Sequence, residues 1–137
     1  MVMINRMYRN DEFLEPSEVS YDKFIWSVIR YINENLNTDL SIDTLASKFF
    51  ISRYHLMHKF KIETGYTLHS YILEKRLSKS KDMLLEGKSI QEICTALNFN
   101  DYSNFMRQFK KRFGKSPGTY KNHLLNFSSM SASTFKE

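Results

Sequence analysis

The chain has 137 residues, a net charge of +5, one cysteine, four glycines and two prolines. This length suits one domain or two very small subdomains. The single cysteine excludes an internal disulfide framework and a cysteine-rich zinc site, and it is typical of a reducing cytosol. So few turn-forming residues argue against a sandwich or barrel and favour helices joined by brief turns. No apolar run or signal-peptide pattern suggests a membrane span or export, so we expect a cytoplasmic protein.

The charge is distributed unevenly along the chain. Residues 1–50 carry eight acidic and five basic residues, whereas residues 51–137 carry seven acidic and fifteen basic residues. Residues 107–121 contain six bases and no acid. Such a cluster is often only a solvated helix face, but it is also typical of a surface that binds a polyanion. Composition alone leaves both interpretations open.

The first half of the chain predicts a linker followed by three helices. We interpret residues 1–20 as a linker or the end of a preceding domain. From Tyr21 onwards, apolar residues recur with helical spacing. Ser41 and Ser52 each precede a helical apolar pattern and are candidate N-caps, because a serine hydroxyl can accept from the unpaired N–H groups of the first turn. Gly65 suits the end of the third helix.

The second half of the chain predicts four further helices. The longest covers residues 67–86, another covers about 101–113, and a short one follows. Residues 124–137 are rich in serine, and we expect them to form a flexible tail. The start and stop signals are Gly87, the capping box from Ser89 to Glu92, Gly114 and Pro117. The sequence therefore predicts an all-α fold of about seven helices.

An internal repeat relates two parts of the chain. The segment from Ser41 to Ala46 aligns with the segment from Ser89 to Cys94 at a shift of 48 residues. Beyond the next turn the shift becomes 49, so that Gly65 aligns with Gly114. The second copy therefore has one extra residue, which we expect after the position equivalent to Ser52. Each copy has a short helix, a turn and a second helix that carries bases. This is the layout of a helix-turn-helix, whose second helix enters the major groove of DNA.

Helical geometry indicates which side chains of these second helices point outward. When Leu56 and Phe60 face the core, a stripe on the opposite side of the helix faces outward, and the same positions face outward in the second copy. The outward set of the first copy is Tyr54, His58 and Lys61, with Met57 on the flank. That of the second copy is Ser103, Arg107 and Lys110, with Met106 on the flank. The helix at residues 67–86 between them would be roughly 30 Å long, and successive major grooves on one side of B-DNA lie roughly 34 Å apart. Two such motifs could therefore reach adjacent major grooves.

Residues 22–123 resemble the DNA-binding domain of AraC/XylS-type bacterial transcription regulators. The matching motifs are Leu45-Ala46, Ile51-Ser52, Leu56, Phe60-Lys61, Thr64-Gly65, Tyr71-Ile72, Arg76-Leu77, Ile90, Ile93, Phe99, Phe105, Phe109-Lys110, Phe113-Gly114, Ser116-Pro117 and Tyr120. The resemblance implies a tandem helix-turn-helix domain at residues 21–123. Its subdomains would cover about 21–66 and 88–123, joined by the linking helix at 67–86.

Transferred by position, the resemblance also implies two classes of DNA contact. The base-reading residues would be Tyr54, Met57, His58, Tyr102, Ser103, Met106 and Arg107. The phosphate contacts would be Ser52, Arg53, Lys59, Lys61, Lys110, Lys111 and Arg112. We expect Arg107 to form a bidentate pair with guanine, and Tyr54 and Met57 to pack on thymine methyl groups. Phosphate contacts supply affinity with little sequence information.

Three positions leave structural questions open. Phe50 and Asn98 stand where the family usually has glycine in the turns. Asparagine tolerates a left-handed conformation, whereas phenylalanine with a positive φ would be strained, so we expect the first turn to differ locally. Tyr102 lies at the edge of the core face, and packing and DNA contact are equally compatible with its position. The phenylalanines expected in the core are Phe60, Phe99, Phe105, Phe109 and Phe113.

The resemblance implies sequence-specific binding of double-stranded DNA for transcription regulation, with RNA polymerase as a partner. It also implies an effector-binding, dimerising domain before residue 1. The alternative is a helical protein-interaction module whose basic face binds an acidic partner. Activator and repressor roles stay open. The sequence has no paired acids, catalytic triad or phosphate-binding glycine loop, so we expect no enzyme activity, cofactor or metal.

Overall fold

The computed structural model describes the backbone of residues 21–135 and the side chains of residues 21–126. Within this part of the chain there are seven α-helices and no strands, so the predicted all-α fold is confirmed. The expected linker at residues 1–20 lies outside the described residues. The helices are α1 (Lys23–Glu34), α2 (Ile42–Lys48), α3 (Arg53–Thr64), α4 (Leu68–Leu85), α5 (Ile90–Ala96), α6 (Tyr102–Phe113) and α7 (Pro117–Phe135).

The last helix is longer than the sequence led us to expect. The prediction of a short last helix is wrong, because α7 continues to Phe135. The flexible tail at residues 124–137 stays a prediction. No glycine or proline follows Gly118 in the sequence. Since these two residue types interrupt helices most strongly, no residue of the serine-rich segment forces the helix to end.

The chain divides into two compact units between Lys75 and Arg76, which lie inside α4. The first part of this helix buries Leu68 in the first unit, and its later part buries Leu77 in the second. The predicted linking helix is therefore a continuous α-helix that belongs to both units. Among the described helices, none is both long and apolar enough to cross a membrane.

The core of the first unit forms where four helices each bury an apolar face. The buried positions of α1 recur with the spacing of one helical face, and so do Leu56 and Phe60 of α3. The ring of Phe60 packs edge-on against Tyr71, with 5.4 Å between ring centroids. Full burial of such side chains stabilises the fold by roughly 1.5–3 kcal/mol each. The buried residues are Ile25, Val28, Ile29, Ile32, Leu40, Leu45, Ala46, Leu56, Phe60, Leu68, Tyr71 and Ile72.

The core of the second unit is organised around a chain of aromatic rings. Phe105 and Phe109 are fully buried and lie 5.8 Å apart between ring centroids. Phe99 packs against the first of these rings, and Phe113 packs against the second. Cys94 of the second unit is also buried, and burial raises the pKa of its thiol. The predicted core role is confirmed for Phe60, Phe105 and Phe109, and Phe99 and Phe113 are half-buried.

The predicted helix caps are present in both copies of the repeat. The hydroxyl of Ser41 accepts from the N–H of Thr44, and that of Ser52 accepts from the N–H of His55. Ser89 forms a complete capping box with Glu92. This bonding lowers the pKa of the Glu92 carboxyl, since its carboxylate accepts from the backbone and hydroxyl of the serine.

The turn between the two helices of each motif has the same geometry in both copies. In the first, the N–H of Ile51 donates to the carbonyl of Ala46 at 3.0 Å. In the second, the N–H of Phe99 donates to the carbonyl of Cys94 at 2.8 Å. These six-to-one bonds define a Schellman motif, which requires a left-handed residue just after the helix.

Phe50 and Asn98 are those left-handed residues, with φ of 54° and 58°. The expectation that the first turn differs locally is therefore wrong: Phe50 adopts the strained conformation, and its side chain is 95% exposed. The position of the extra residue also needs correction. The N-cap residues Ser52 and Asp101 are equivalent, so the inserted residue is Asn100, which precedes the second cap.

We expect Phe50→Gly to raise the free energy of unfolding by about 1 kcal/mol. A left-handed conformation costs an L-residue roughly 1–2 kcal/mol, and this exceeds the roughly 0.5–1 kcal/mol by which glycine increases the entropy of the unfolded chain. Urea denaturation measures the change. Asn98→Gly is the matched control and should have a smaller effect, because asparagine tolerates this conformation. Destabilisation by Phe50→Gly would contradict the assignment of strain.

Tyr21 predicts a dependence of stability on alkaline pH. Partial burial, with smaller contributions from Tyr66 and Glu63, raises the pKa of its hydroxyl to about 12 from 10.0. Its neutral form is therefore favoured in the folded state, and this stability is fully present below pH 10 and is lost as the pH rises from 10 through about 12. Denaturation of the wild type and of Tyr21→Phe over this range should show a shallower loss in the variant. Identical losses would refute the role of Tyr21.

Candidate nucleic-acid interface

The first candidate reading surface is the exposed stripe of α3. The burial of Leu56 and Phe60 fixes the rotation of this helix, so the opposite side faces solvent. The predicted outward residues of α3 are exposed, and so is Met57 on the flank; this stripe consists of Tyr54, Met57, His58 and Lys61. The side chain of Tyr54 is 75% exposed, which is unusual for so large a ring in a folded domain.

Within this stripe, Tyr54 and His58 form a stacked pair. Their ring centroids lie 5.5 Å apart and the two ring planes differ by 10°. The pair follows from their spacing of four residues, which brings side chains together on one helix face. Because the rings restrict each other, the stripe presents an ordered pair of aromatic side chains. The Nζ atom of Lys61, one turn later, donates to the carbonyl oxygen of Gly65 at 3.4 Å.

The second candidate reading surface is the corresponding stripe of α6. Asp101 caps this helix by accepting from the N–H of Ser103 at 2.9 Å. Phe105 and Phe109 are buried, so Ser103 and Arg107 are exposed as predicted. The side chain of Tyr102 is 56% exposed, which answers the question left open by the sequence: the ring lies outside the core. The remaining members of this stripe are Met106, which is half-buried, and Lys110, which is exposed.

Arg107 is held by a neighbour that the sequence analysis did not single out. Its Nη2 atom donates to Oδ1 of Asn104 at 3.0 Å. Gln108 donates to the same oxygen at 3.5 Å. The amide oxygen thereby restricts the guanidinium while leaving its other donors for a ligand. The spacing of three residues between Asn104 and Arg107 on one helix is the signal that could have predicted this contact.

Basic side chains flank both stripes, but some are freely exposed and others contact neighbouring groups. Lys110 and Lys111 are exposed in the last turn of α6. Their positive charges interact favourably with the partial negative charge at the C-terminal end of the helix. The guanidinium of Arg112 lies 4.8 Å from the centroid of the Phe113 ring. Its position is therefore fixed partly by a cation–π contact.

Two of the basic residues predicted to contact phosphates form ion pairs within the first unit. Nε of Arg53 lies 3.0 Å from Oδ1 of Asp43, and both side chains are well exposed. Nζ of Lys59 lies 3.6 Å from Oδ2 of Asp22, and the lysine side chain is less exposed. Exposed pairs contribute only about 0–1 kcal/mol, so Arg53 can exchange its partner for a phosphate at little cost. Lys59 is more constrained.

An apolar cleft adjoins the first stripe and was not predicted. It has a volume of about 380 Å³. Its walls include Tyr54 and Met57 of α3, Ile42 of α2, and Leu68 and His69 of α4. No periodic pattern connects residues from three different helices, so sequence reasoning could not have found it.

The comparisons with known proteins identify the family. A family described as a helix-turn-helix domain matches residues 45–123, which is more than half of the chain. The chain belongs to the AraC-type helix-turn-helix family. This is a family of DNA-binding transcriptional regulators, and the resemblance seen in the sequence is confirmed.

Two relatives in the AraC-type family show how much of a longer protein the chain covers. The Msm operon regulatory protein of Streptococcus mutans is 29% identical over 136 residues, which is 92% of this chain and 49% of that protein. The Right origin-binding protein of Escherichia coli K12 is 33% identical over 109 residues, which is 79% of this chain and 36% of that protein. The chain therefore spans half or less of the length of these relatives.

A solved structure of the AraC-type fold also matches. The C-terminal domain of the two-component response regulator yesN from Fusobacterium nucleatum is 26% identical and superposes with a TM-score of 0.70. The match covers 73% of this chain and 99% of that domain. The helical fold described above is thus the fold of this family.

Proposed function

We propose that this chain binds double-stranded DNA sequence-specifically, to regulate transcription, by inserting α3 and α6 into the major groove. One observation carries the proposal: both helices expose stripes at equivalent positions of the repeat, Tyr54 to Lys61 and Ser103 to Lys110. Family membership supports it, as do the names of the relatives, an operon regulatory protein and an origin-binding protein.

Base reading is assigned to six side chains of the two stripes and to Tyr102 at the start of α6. Arg107 has free donors beyond its bond to Asn104 and suits a bidentate pair with O6 and N7 of guanine. The exposed apolar parts of Tyr54 and Met57 suit thymine methyl groups. The imidazole of His58 suits a hydrogen bond to a guanine or a phosphate. The other base-reading candidates are Tyr102, Ser103 and Met106.

Phosphate contacts are assigned to the cap and to the basic residues that flank the stripes. Ser52 and the first N–H groups of α3 form a helix start that favours an anion. The basic candidates are Arg53, Lys59, Lys61, Lys110, Lys111 and Arg112. Their charge attracts any DNA sequence, so specificity must come from the stripes.

We further propose that the two helices bind adjacent major grooves of one site. The 18 residues of α4 form a helix about 27 Å long, comparable with the roughly 34 Å between successive grooves on one face of B-DNA. Two motifs on one chain raise the effective concentration of the second contact after the first has formed.

The larger assembly is also part of the proposal. Because the chain spans half or less of the two curated relatives described above, we infer that an effector-binding, dimerising domain precedes it. In the bacterial cytoplasm the bound protein would act on RNA polymerase. We propose that the chain acts by binding DNA rather than by catalysing a reaction.

Selection of bound sequences from random duplexes tests the function. The enriched duplex and a scrambled duplex are then titrated with the chain over a series of salt concentrations. A DNA reader prefers the enriched duplex and shows a linear fall of log affinity with log salt, with a slope of about −0.9 for each phosphate neutralised. Failure of the selection to enrich any sequence, with tight binding to acidic polypeptides, would instead favour a protein-interaction module.

Arg107→Ala should relax specificity at one base pair. Loss of a bidentate contact should remove roughly 1–3 kcal/mol of discrimination at a guanine while other positions keep their preference. Competition between the enriched duplex and single-base variants measures this. Lys111→Gln is the control and should weaken all duplexes alike. An equal loss on all sequences for Arg107→Ala would exclude base reading by this residue.

Lys61→Gln and Lys59→Gln form a matched pair in α3. Lys61→Gln should weaken binding to every duplex and reduce the salt slope by about one unit, because one phosphate contact is lost. Lys59→Gln should have a smaller effect, since the lysine Nζ already lies 3.6 Å from the Asp22 carboxylate. Fluorescence anisotropy over a salt series checks both. A larger effect for Lys59→Gln would reverse their assignment.

A further inference from the structure

The apolar cleft beside α3 has the size and lining of a small-molecule site. Its volume of about 380 Å³ falls in the usual range of roughly 300–1,000 Å³ for ligand pockets. Leu68, which also lines it, is almost fully buried and belongs to the core of the first unit. Since the lining residues come from three helices packed around that core, the cleft forms as part of folding.

The walls of the cleft favour a flat ring system. Tyr54 stacks on His58 with only 10° between the ring planes, so the two rings restrict each other and hold an ordered pair of aromatic faces beside the cleft. Met57 contributes a flexible and polarisable thioether, which makes favourable contacts with aromatic rings. Ile42 of α2 adds an aliphatic side chain to the lining.

The polar groups of the cleft favour an anion. Lys61 carries a positive charge, and the imidazoles of His58 and His69 can donate hydrogen bonds. Among the described side chains that line the cleft, none is acidic. An aromatic ligand with one carboxylate would satisfy both parts of this lining.

The second unit does not repeat these walls. Its sequence has Ser103 where the first unit has Tyr54, and Gly118 where the first unit has His69. The ring and the imidazole are therefore missing at the equivalent positions. A ligand that needs them would bind one site per chain, in the first unit.

We propose that this cleft binds a small aromatic carboxylate, and that such a ligand excludes DNA from α3. The second part rests on the proposed function, because Tyr54, Met57 and His58 are also the base-reading residues assigned to α3. Two ligands that need the same side chains cannot bind together, so each must lower the apparent affinity of the other.

Titration of the chain with 2-naphthoate tests the site without DNA. Isothermal calorimetry and amide chemical shifts should show saturable binding at one site, with the largest shifts in α3 and at the start of α4. The neutral 2-naphthamide should bind about tenfold more weakly, because it cannot pair with Lys61. No saturable binding, or equal binding of the amide, would overturn the proposal.

Substitutions of exposed residues locate the site, because they can change ligand binding without unfolding the chain. Tyr54→Ala and Lys61→Gln alter exposed residues and should each weaken naphthoate binding about tenfold without unfolding the chain. Leu85→Ala and Lys115→Gln alter exposed residues outside the cleft and should leave binding unchanged. Binding that survives Tyr54→Ala would overturn the assignment to this cleft.

Competition with the selected duplex separates the two proposals. Naphthoate should raise the apparent Kd of the duplex for the wild type and have little effect on DNA binding by Tyr54→Ala. If naphthoate binds but no duplex is preferred, the site stands and the proposed function fails. If the duplex binds, no naphthoate binds, and replacing thymine by uracil weakens the complex, the cleft is a DNA surface and the ligand proposal fails.

Discussion

The orientation of each candidate recognition helix depends on one left-handed residue. Phe50 and Asn98 follow the first helix of their motifs with φ of 54° and 58°, and a six-to-one hydrogen bond closes each turn. The turn fixes the direction in which the second helix leaves the first. Only then can Leu56 and Phe60, or Phe105 and Phe109, reach the core and leave the opposite stripe exposed. The shared geometry holds despite a phenylalanine at one of the two positions.

Much of this fold could be predicted because its signals are local. The caps Ser41, Ser52 and Ser89 and the stop glycines Gly65 and Gly114 act within a few residues of themselves. The exposed stripes follow from which positions of α3 and α6 are apolar, since helical geometry then determines the opposite face. The repeat strengthened both kinds of prediction by supplying each signal twice.

Other features could not be predicted because they depend on distant residues or on competing energies. Phe50 adopts a left-handed conformation in a turn closed by backbone hydrogen bonds, and its residue preference alone does not reveal this. Lys59 of α3 forms an ion pair with Asp22, which caps α1. The cleft is lined by side chains from α2, α3 and α4. The length of α7 was missed because its later residues are rich in serine, although serine does not prevent helix formation.

The two candidate reading surfaces are chemically unequal, which has consequences for the DNA site. The α3 stripe presents the stacked rings of Tyr54 and His58, whereas the α6 stripe presents Arg107 between Ser103 and Lys110. An apolar stripe suits thymine methyl groups, and a guanidinium suits guanine. One chain would thus read an asymmetric site, which fixes its direction on the DNA.

The central claim is that both helices contact one duplex in adjacent major grooves. The most direct test inserts five base pairs between the two halves of the selected site, which rotates them to opposite faces of the duplex. We predict that affinity falls to that of a duplex with only one half-site. Unchanged affinity after this insertion would contradict the account.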